Sequence, residues 1–183
     1  ISADGRNIAY MLYNPVDPLK ENKPADVELH VYRVDQKQSI PFVTRNRISN
    51  VAFRPEHNTI TFLGNPEDEK MTSLYEIPLS GGESVKVFSH ETPIYDYDWS
   101  PDGNRLAFIA AEEKDKKAEK DKLPYQPNIY EENLPFHQAM VASVANPDEV
   151  RKINVSGQYH DVKWSPDGRK LAVAVAPTPL VDD

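Results

Sequence analysis

The chain contains no cysteine and only seven glycines in 183 residues. Without Cys there is no disulfide, no thiolate nucleophile and no Cys-based zinc site. No apolar run approaches the ~18 residues that cross a membrane. The opening ISADGRNIAYML has neither the basic start nor the long apolar stretch of a signal peptide. It also lacks an initiator Met, and the expectation is a chain processed or cut from something longer. Basic clusters are missing as well. The 21 Lys and Arg stand against 29 Asp and Glu, a net charge of −8. That balance excludes nucleic acid as a partner, since phosphates need clustered cations, and describes a solvated acidic surface. No motif asks for a cofactor. His30, His57, His90, His137 and His160 are not spaced as a metal pair, and H-E-x-x-H is absent. Nor is there a G-x-S-x-G nucleophile elbow: SGGES at 80–84 reads as a hairpin turn. The compartment stays open, with a periplasmic or secreted chain preferred to a cytoplasmic one.

Proline, by contrast, is abundant at 16 residues, which leaves little room for long helices. Every glycine stands at a plausible turn, including Gly64 in a link between strands, and an all-β chain of short strands follows. The strongest signal is a repeat. DYDWSPDGNRLAF at 96–108 returns as DVKWSPDGRKLAV at 161–173, with degenerate copies SADG from Ser2 and RPEHN from Arg54. The markers fall near 2–5, 54–58, 100–103 and 165–168, and their starts are 52, 46 and 65 residues apart. The long interval holds a charged insert at 112–128, and without it the period is ~45 residues, that of a four-stranded propeller blade.

Each copy is a turn between antiparallel strands. Pro101 and Pro166 pre-set φ at the first central position, Asp102 and Asp167 suit the second, and Gly103 and Gly168 take the left-handed conformation that follows. After the turn, Leu106 and Phe108 alternate with Ala107 and Ile109, and Leu171, Val173 and Val175 alternate with Ala172, Ala174 and Ala176. Both faces are apolar, so both are expected to be buried, as in stacked blades. A second strand pair follows each hairpin, for example QAMVASV, a turn at ANPDE, then VRKINV. The fold class is therefore all-β: residues 1–183 form one segment of a β-propeller, an open arc of about three full four-stranded blades plus partial ones. The unpaired ends invite the remainder of the same protein or a protein partner.

WSPDGNRLAF and WSPDGRKLAV, followed in the blade pattern by strands such as SLYEIPLSGGE, resemble the repeats of TolB-type β-propellers. The same motif fills the N-terminal propeller of prolyl-oligopeptidase-family serine peptidases, and ISADGRNIAYMLYNPVDP favours that type. The resemblance implies a non-catalytic propeller that gates or filters peptide access to a separate α/β-hydrolase domain carrying Ser, Asp and His. A TolB-like protein-binding scaffold with no enzyme attached is the alternative. A sugar- or lactone-type propeller enzyme comes third, since no metal-ligand set is present. No catalytic residue can be assigned to this chain.

Three stretches remain as candidates. Asp96 and Asp98 lie on one side of a strand and could act as an acid–base pair, but the preferred expectation is that they bond nearby backbone N–H groups beside the turn. Trp99 and Trp164 hold equivalent repeat positions, which favours packing over ligand stacking. IYEENLPF resembles the Tyr-Glu-Glu segment with which dipeptidyl-peptidase propellers hold a substrate's amino terminus, which implies Glu131 and Glu132 as substrate-binding residues. The Asp-Trp that precedes that segment in the family is missing here, and a solvated loop is the competing reading.

Overall fold

A computed structural model describes residues 1–15, 19, 26–65, 71–113 and 134–180. Its regular elements are strands throughout, in four antiparallel sheets built from chain neighbours. The first sheet holds β1 (Asn7–Asn14), β2 (Asp26–Arg33) and β3 (Gln38–Asn46). The second holds β4 (Ile48–Phe53), β5 (Thr59–Gly64), β6 (Ser73–Pro78) and β7 (Val85–Phe88). The third holds β8 (Ile94–Trp99), β9 (Arg105–Ala111), β10 (His137–Ser143) and β11 (Asn146–Lys152). The fourth holds β12 (Gln158–Trp164) and β13 (Leu171–Ala176). These are propeller blades in an open arc. Among the described residues two of the sheets have four strands, and the outer two have three and two.

Alternation places the core between the sheets, and there are three such cores. Leu29, Val31, Ile60, Phe62 and Ile77 join the first and second blades. Leu63, Leu74, Tyr97, Trp99, Leu106, Phe108 and Met140 join the second and third. Ala107, Ile109, Ala139, Tyr159 and Val162 join the third and fourth. The strand β9 thus sends Leu106 and Phe108 to one neighbour and Ala107 and Ile109 to the other, all at 1% exposure or less. The equivalent strand β13 departs from expectation. Leu171, Val173 and Val175 pack toward the third blade, but Ala172 and Ala174 are exposed, because no sheet covers that face among the described residues.

Two further expectations are corrected. The turn is Val144–Ala145, so of ANPDE only Ala145 lies in it: β11 begins at Asn146 and carries Pro147, which an outer edge strand tolerates because an outward N–H has no partner to lose. Gly64 is not in a link; it is the last residue of β5, paired with Ile48 and Ser73. Among the described residues, no helix is long and apolar enough to cross a membrane.

Candidate functional site

The repeated turn is the best-defined local geometry in the chain. In SPDG, the Ser100 hydroxyl donates to Asp102, and Arg105 N–H donates to Ser100 Oγ at 2.9 Å. Asn104 N–H donates to Asp102 at 3.1 Å, and Gly103 N–H closes the turn on Ser100 O at 2.8 Å. The same four bonds recur around Ser165, Asp167, Gly168 and Lys170. They recur again around Ser2, Asp4, Gly5 and Asn7, where Ala3 replaces the proline. The serine hydrogen bond is the main reason that Asp4, Asp102 and Asp167 all sit below the ordinary carboxylate range, and the backbone N–H two residues on adds to it. Gly5, Gly103 and Gly168 have φ of 70°, 65° and 66°. The RPEHN copy lacks the glycine and instead puts Glu56 at φ 57°.

These turns also touch one another around the arc. A Cβ on Gly103 would lie 2.2 Å from Pro55 O of the preceding blade, and one on Gly168 would lie 3.3 Å from Pro101 Cδ. An arginine completes each contact. Arg54 lies 4.6 Å over the Trp99 ring and donates to Gly103 O at 2.8 Å, and Arg105 lies 4.5 Å over Trp164 and donates to Gly168 O at 3.0 Å. The two arginines come from different places in the repeat, one before the turn and one after it, which is why sequence alignment alone does not pair them. Pro101, Asp102, Gly103, Pro166, Asp167 and Gly168 therefore shape the turns and the seams between blades.

The tryptophans are packed, yet not identically. Trp99 Nε1 donates to Thr61 Oγ1 at 2.9 Å, and Thr61 also bonds the Tyr97 hydroxyl at 2.9 Å. Burial raises the Tyr97 phenol above its ordinary range, against the Thr61 bond. In the next seam the Thr61 position is Ala107 and the Tyr97 position is Val162, and Trp164 Nε1 is buried without a partner. Asp96 and Asp98 are not an acid–base pair, nor do they bond the local turn. Asp96 accepts from Asn50 Nδ2 at 2.6 Å in the preceding blade, and Asp98 accepts from Trp164 N–H at 2.6 Å in the following one. Burial raises the Asp98 carboxyl, opposed by the Trp164 N–H.

One set of side chains on the first blade has the composition of a nucleophilic relay. Ser39 Oγ lies 3.4 Å from His30 Nδ1 and 2.6 Å from the Tyr10 hydroxyl, and His30 Nε2 lies 2.9 Å from Glu28. The strand β2 that carries His30 and Glu28 is paired on both sides, so its amides are committed to the ladder, while Ser39 stands on the edge strand β3.

A further group of side chains gathers where β9 ends and β10 begins. Each inner strand, β4, β8 and β12, has a register shift, and in the last two it releases Tyr95 and His160 from the ladder. Such bulges re-aim side chains next to sites. Tyr95 stacks on His137 at 4.1 Å, and His137 N–H donates to the buried Gln158 at 2.7 Å. Burial, then the charge of His160, lowers the His137 imidazole below its ordinary value, and burial also lowers His90. Beside them is a cavity of about 550 Å³, lined among others by Glu112, Phe136, Gln138, Lys152 and Tyr159. No run of residues in the sequence announces it, because its lining comes from three separate segments. Glu131 and Glu132 lie outside the described residues, as does the insert from residue 114 onward. Among the described residues, no group of three or more His, Asp or Glu side chains could hold a metal ion.

No protein-family model matches the sequence, and no curated protein sequence does either. Solved structures do match in fold. TolB from Acinetobacter baumannii is 20% identical with a TM-score of 0.60, over 90% of this chain and 35% of that one. The uncomplexed acylaminoacyl peptidase from Pyrococcus horikoshii is 13% identical with a TM-score of 0.61, over 93% of this chain and 26% of that one. Tricorn protease is 12% identical with a TM-score of 0.63, over 96% of this chain and 20% of that one. The chain has the fold of a TolB-type β-propeller, and it spans about a third or less of each of these structures.

Proposed function

We propose that the chain is the non-catalytic propeller part of a prolyl-oligopeptidase-type serine peptidase, gating or filtering peptide access to a hydrolase domain outside these residues. The supporting observation is the fold likeness to acylaminoacyl peptidase and tricorn protease, which extends over nearly all of this chain and leaves most of theirs unmatched. The repeated serines agree with a structural role. Ser2, Ser100 and Ser165 are each bonded to an aspartate and a backbone N–H inside a turn, and among the described residues none is bonded to a histidine. A TolB-like binding scaffold is the second reading, favoured by the likeness to TolB at 20% identity.

Fluorophosphonate labelling of the full-length polypeptide that contains this chain separates the two. The peptidase reading expects one labelled serine in the parent outside residues 1–183, and none in the isolated chain. An intact parent that takes no label, or a label within this chain, overturns it.

A further inference from the structure

We propose that the cavity beside the 153–157 loop binds a small zwitterion, an amino acid or dipeptide with free amino and carboxyl groups. The proposal is independent of the peptidase reading. Its basis is a pair of opposite charges that line one cavity without pairing with each other. Glu112 directly follows β9, and Lys152 is the last residue of β11. Glu112 is oriented by two bonds: its N–H donates to Phe136 O at 2.7 Å, and its Oε1 accepts from Gln138 Nε2 at 2.9 Å. The second carboxylate oxygen has no partner among the described residues, and neither has the Lys152 ammonium. The same lining includes two apolar side chains open to solvent, Phe136 at 37% and Val155 at 50% exposure.

The loop that carries Val155 is held in place before any ligand arrives. The ring of Tyr159 is fully buried, and its hydroxyl accepts from Val155 N–H at 3.0 Å. The same hydroxyl lies 3.1 Å from Ile153 O and 2.8 Å from Val155 O, where it can donate to either. Gly157, at φ 131°, presses the loop end against β13, where a Cβ would come within 2.4 Å of Ala176 O. A cavity of about 550 Å³ with a fixed wall is in the range that small ligands fill. A ligand with an ammonium at one end, a carboxylate at the other and an apolar side chain between them meets Glu112, Lys152 and the Phe136–Val155 surface together. Charge-assisted bonds at both ends supply the selectivity. Both protein charges are solvent-exposed, so screening keeps the affinity weak.

The experiment is a titration of the isotope-labelled 183-residue chain with the dipeptide Ala-Phe, followed by amide chemical shifts. Saturable shifts are expected at Gln138, Val155, Ser156 and Gly157. N-acetyl-Ala-Phe and Ala-Phe amide should each bind at least fivefold more weakly to the same protein. Glu112→Gln and Lys152→Met should each weaken Ala-Phe by a similar factor, with the remaining spectrum unchanged. The proposal is overturned if no saturable shift occurs, if the blocked dipeptides bind as well as the free one, or if a neutral disaccharide titrates the same amides equally well. The blocked dipeptides are tested on the native chain, so the outcome stands even if a variant fails to fold.

Discussion

At the scale of the residue, a repeated motif conceals unequal stakes. Gly103 and Gly168 share one backbone conformation, and a β-branched side chain at either costs about 1–3 kcal/mol of strain. The sequence treats the two as equivalent. Their surroundings differ, since a side chain on Gly103 meets the backbone of Pro55 at 2.2 Å while one on Gly168 meets side chains alone, the Pro101 ring at 3.3 Å and the Arg105 guanidinium at 3.5 Å. Gly103→Val is therefore expected to lose more stability than Gly168→Val in a denaturant titration, and equal losses would refute the seam geometry. Gly64→Ala is not innocuous either. Its Cβ would approach the Tyr75 ring at 3.1 Å, which must shift by a few tenths of an ångström.

The orphaned indole of Trp164 makes a second prediction. Ala107→Ser places a hydroxyl where Thr61 serves Trp99, and should raise stability by about 1 kcal/mol. The gain should vanish in a Trp164→Phe background, where no N–H needs an acceptor. A gain that persists there assigns it to packing instead.

The turn aspartates set the acid limb of stability. A carboxyl held below its unfolded value contributes stability above that value, and the contribution is lost as pH falls through the lowered one. Asp102→Asn and Asp167→Asn should each flatten the decline of melting temperature below about pH 4. Asp98 has the opposite sign. Its raised carboxyl favours the protonated form in the folded chain, so its contribution declines as pH rises from the ordinary carboxylate range through the folded value.

At the scale of the element, the inner strands are joined by side chains to backbone, across sheets. Asp98 reaches from β8 to the Trp164 N–H of β12, and Asn50, at φ 48°, reaches from β4 to Asp96 and Tyr95 O of β8. Asp98→Ala should cost about 1–3 kcal/mol by leaving that N–H unmatched. Hydrogen exchange at Trp164 should accelerate selectively, and unchanged protection there would show that the bond is incidental.

Most of this element pattern is legible in the sequence, because period-2 alternation and Pro-Asp-Gly turns are local properties. The strand β8 coincides with the IYDYDW segment, and RLAFIA covers all but the last residue of β9. What is not legible depends on a neighbour 45 or more residues away. The partners of Asp96 and Asp98, the arginine over each indole and the missing acceptor at Ala107 are set by the next blade. The cavity is hidden for a related reason, since Glu112 follows β9 while Lys152 ends β11, on the far side of the insert in the sequence. Pro147 misled the turn assignment because proline's usual penalty disappears on an outer edge.

At the scale of the whole molecule, the two flanks of the arc differ. The outward face of the last blade is small and apolar, with Ala172 and Ala174 open to solvent. The outward face of the first carries the polar set of Tyr10, Glu28, His30 and Ser39. Ala172→Glu should leave the stability of this chain within about 0.5 kcal/mol, as for other exposed positions. Ala107→Glu, at the matching position of a covered face, should prevent cooperative folding by burying an unpaired charge. Circular dichroism melts of the two variants make the comparison directly.

The three seams do not share one recipe. Where Phe53 supplies no N–H, the position equivalent to Thr61 in the preceding blade is Ala9, packed against the same core; where Trp99 and Tyr97 supply two polar groups, it is Thr61; where Trp164 supplies one, Ala107 leaves it unanswered. A blade copied whole carries the back half of one such pairing and the front half of another. A newly duplicated unit is thus born mismatched on both flanks, and its later drift is constrained two residues at a time, by partners that never lie in the same copy.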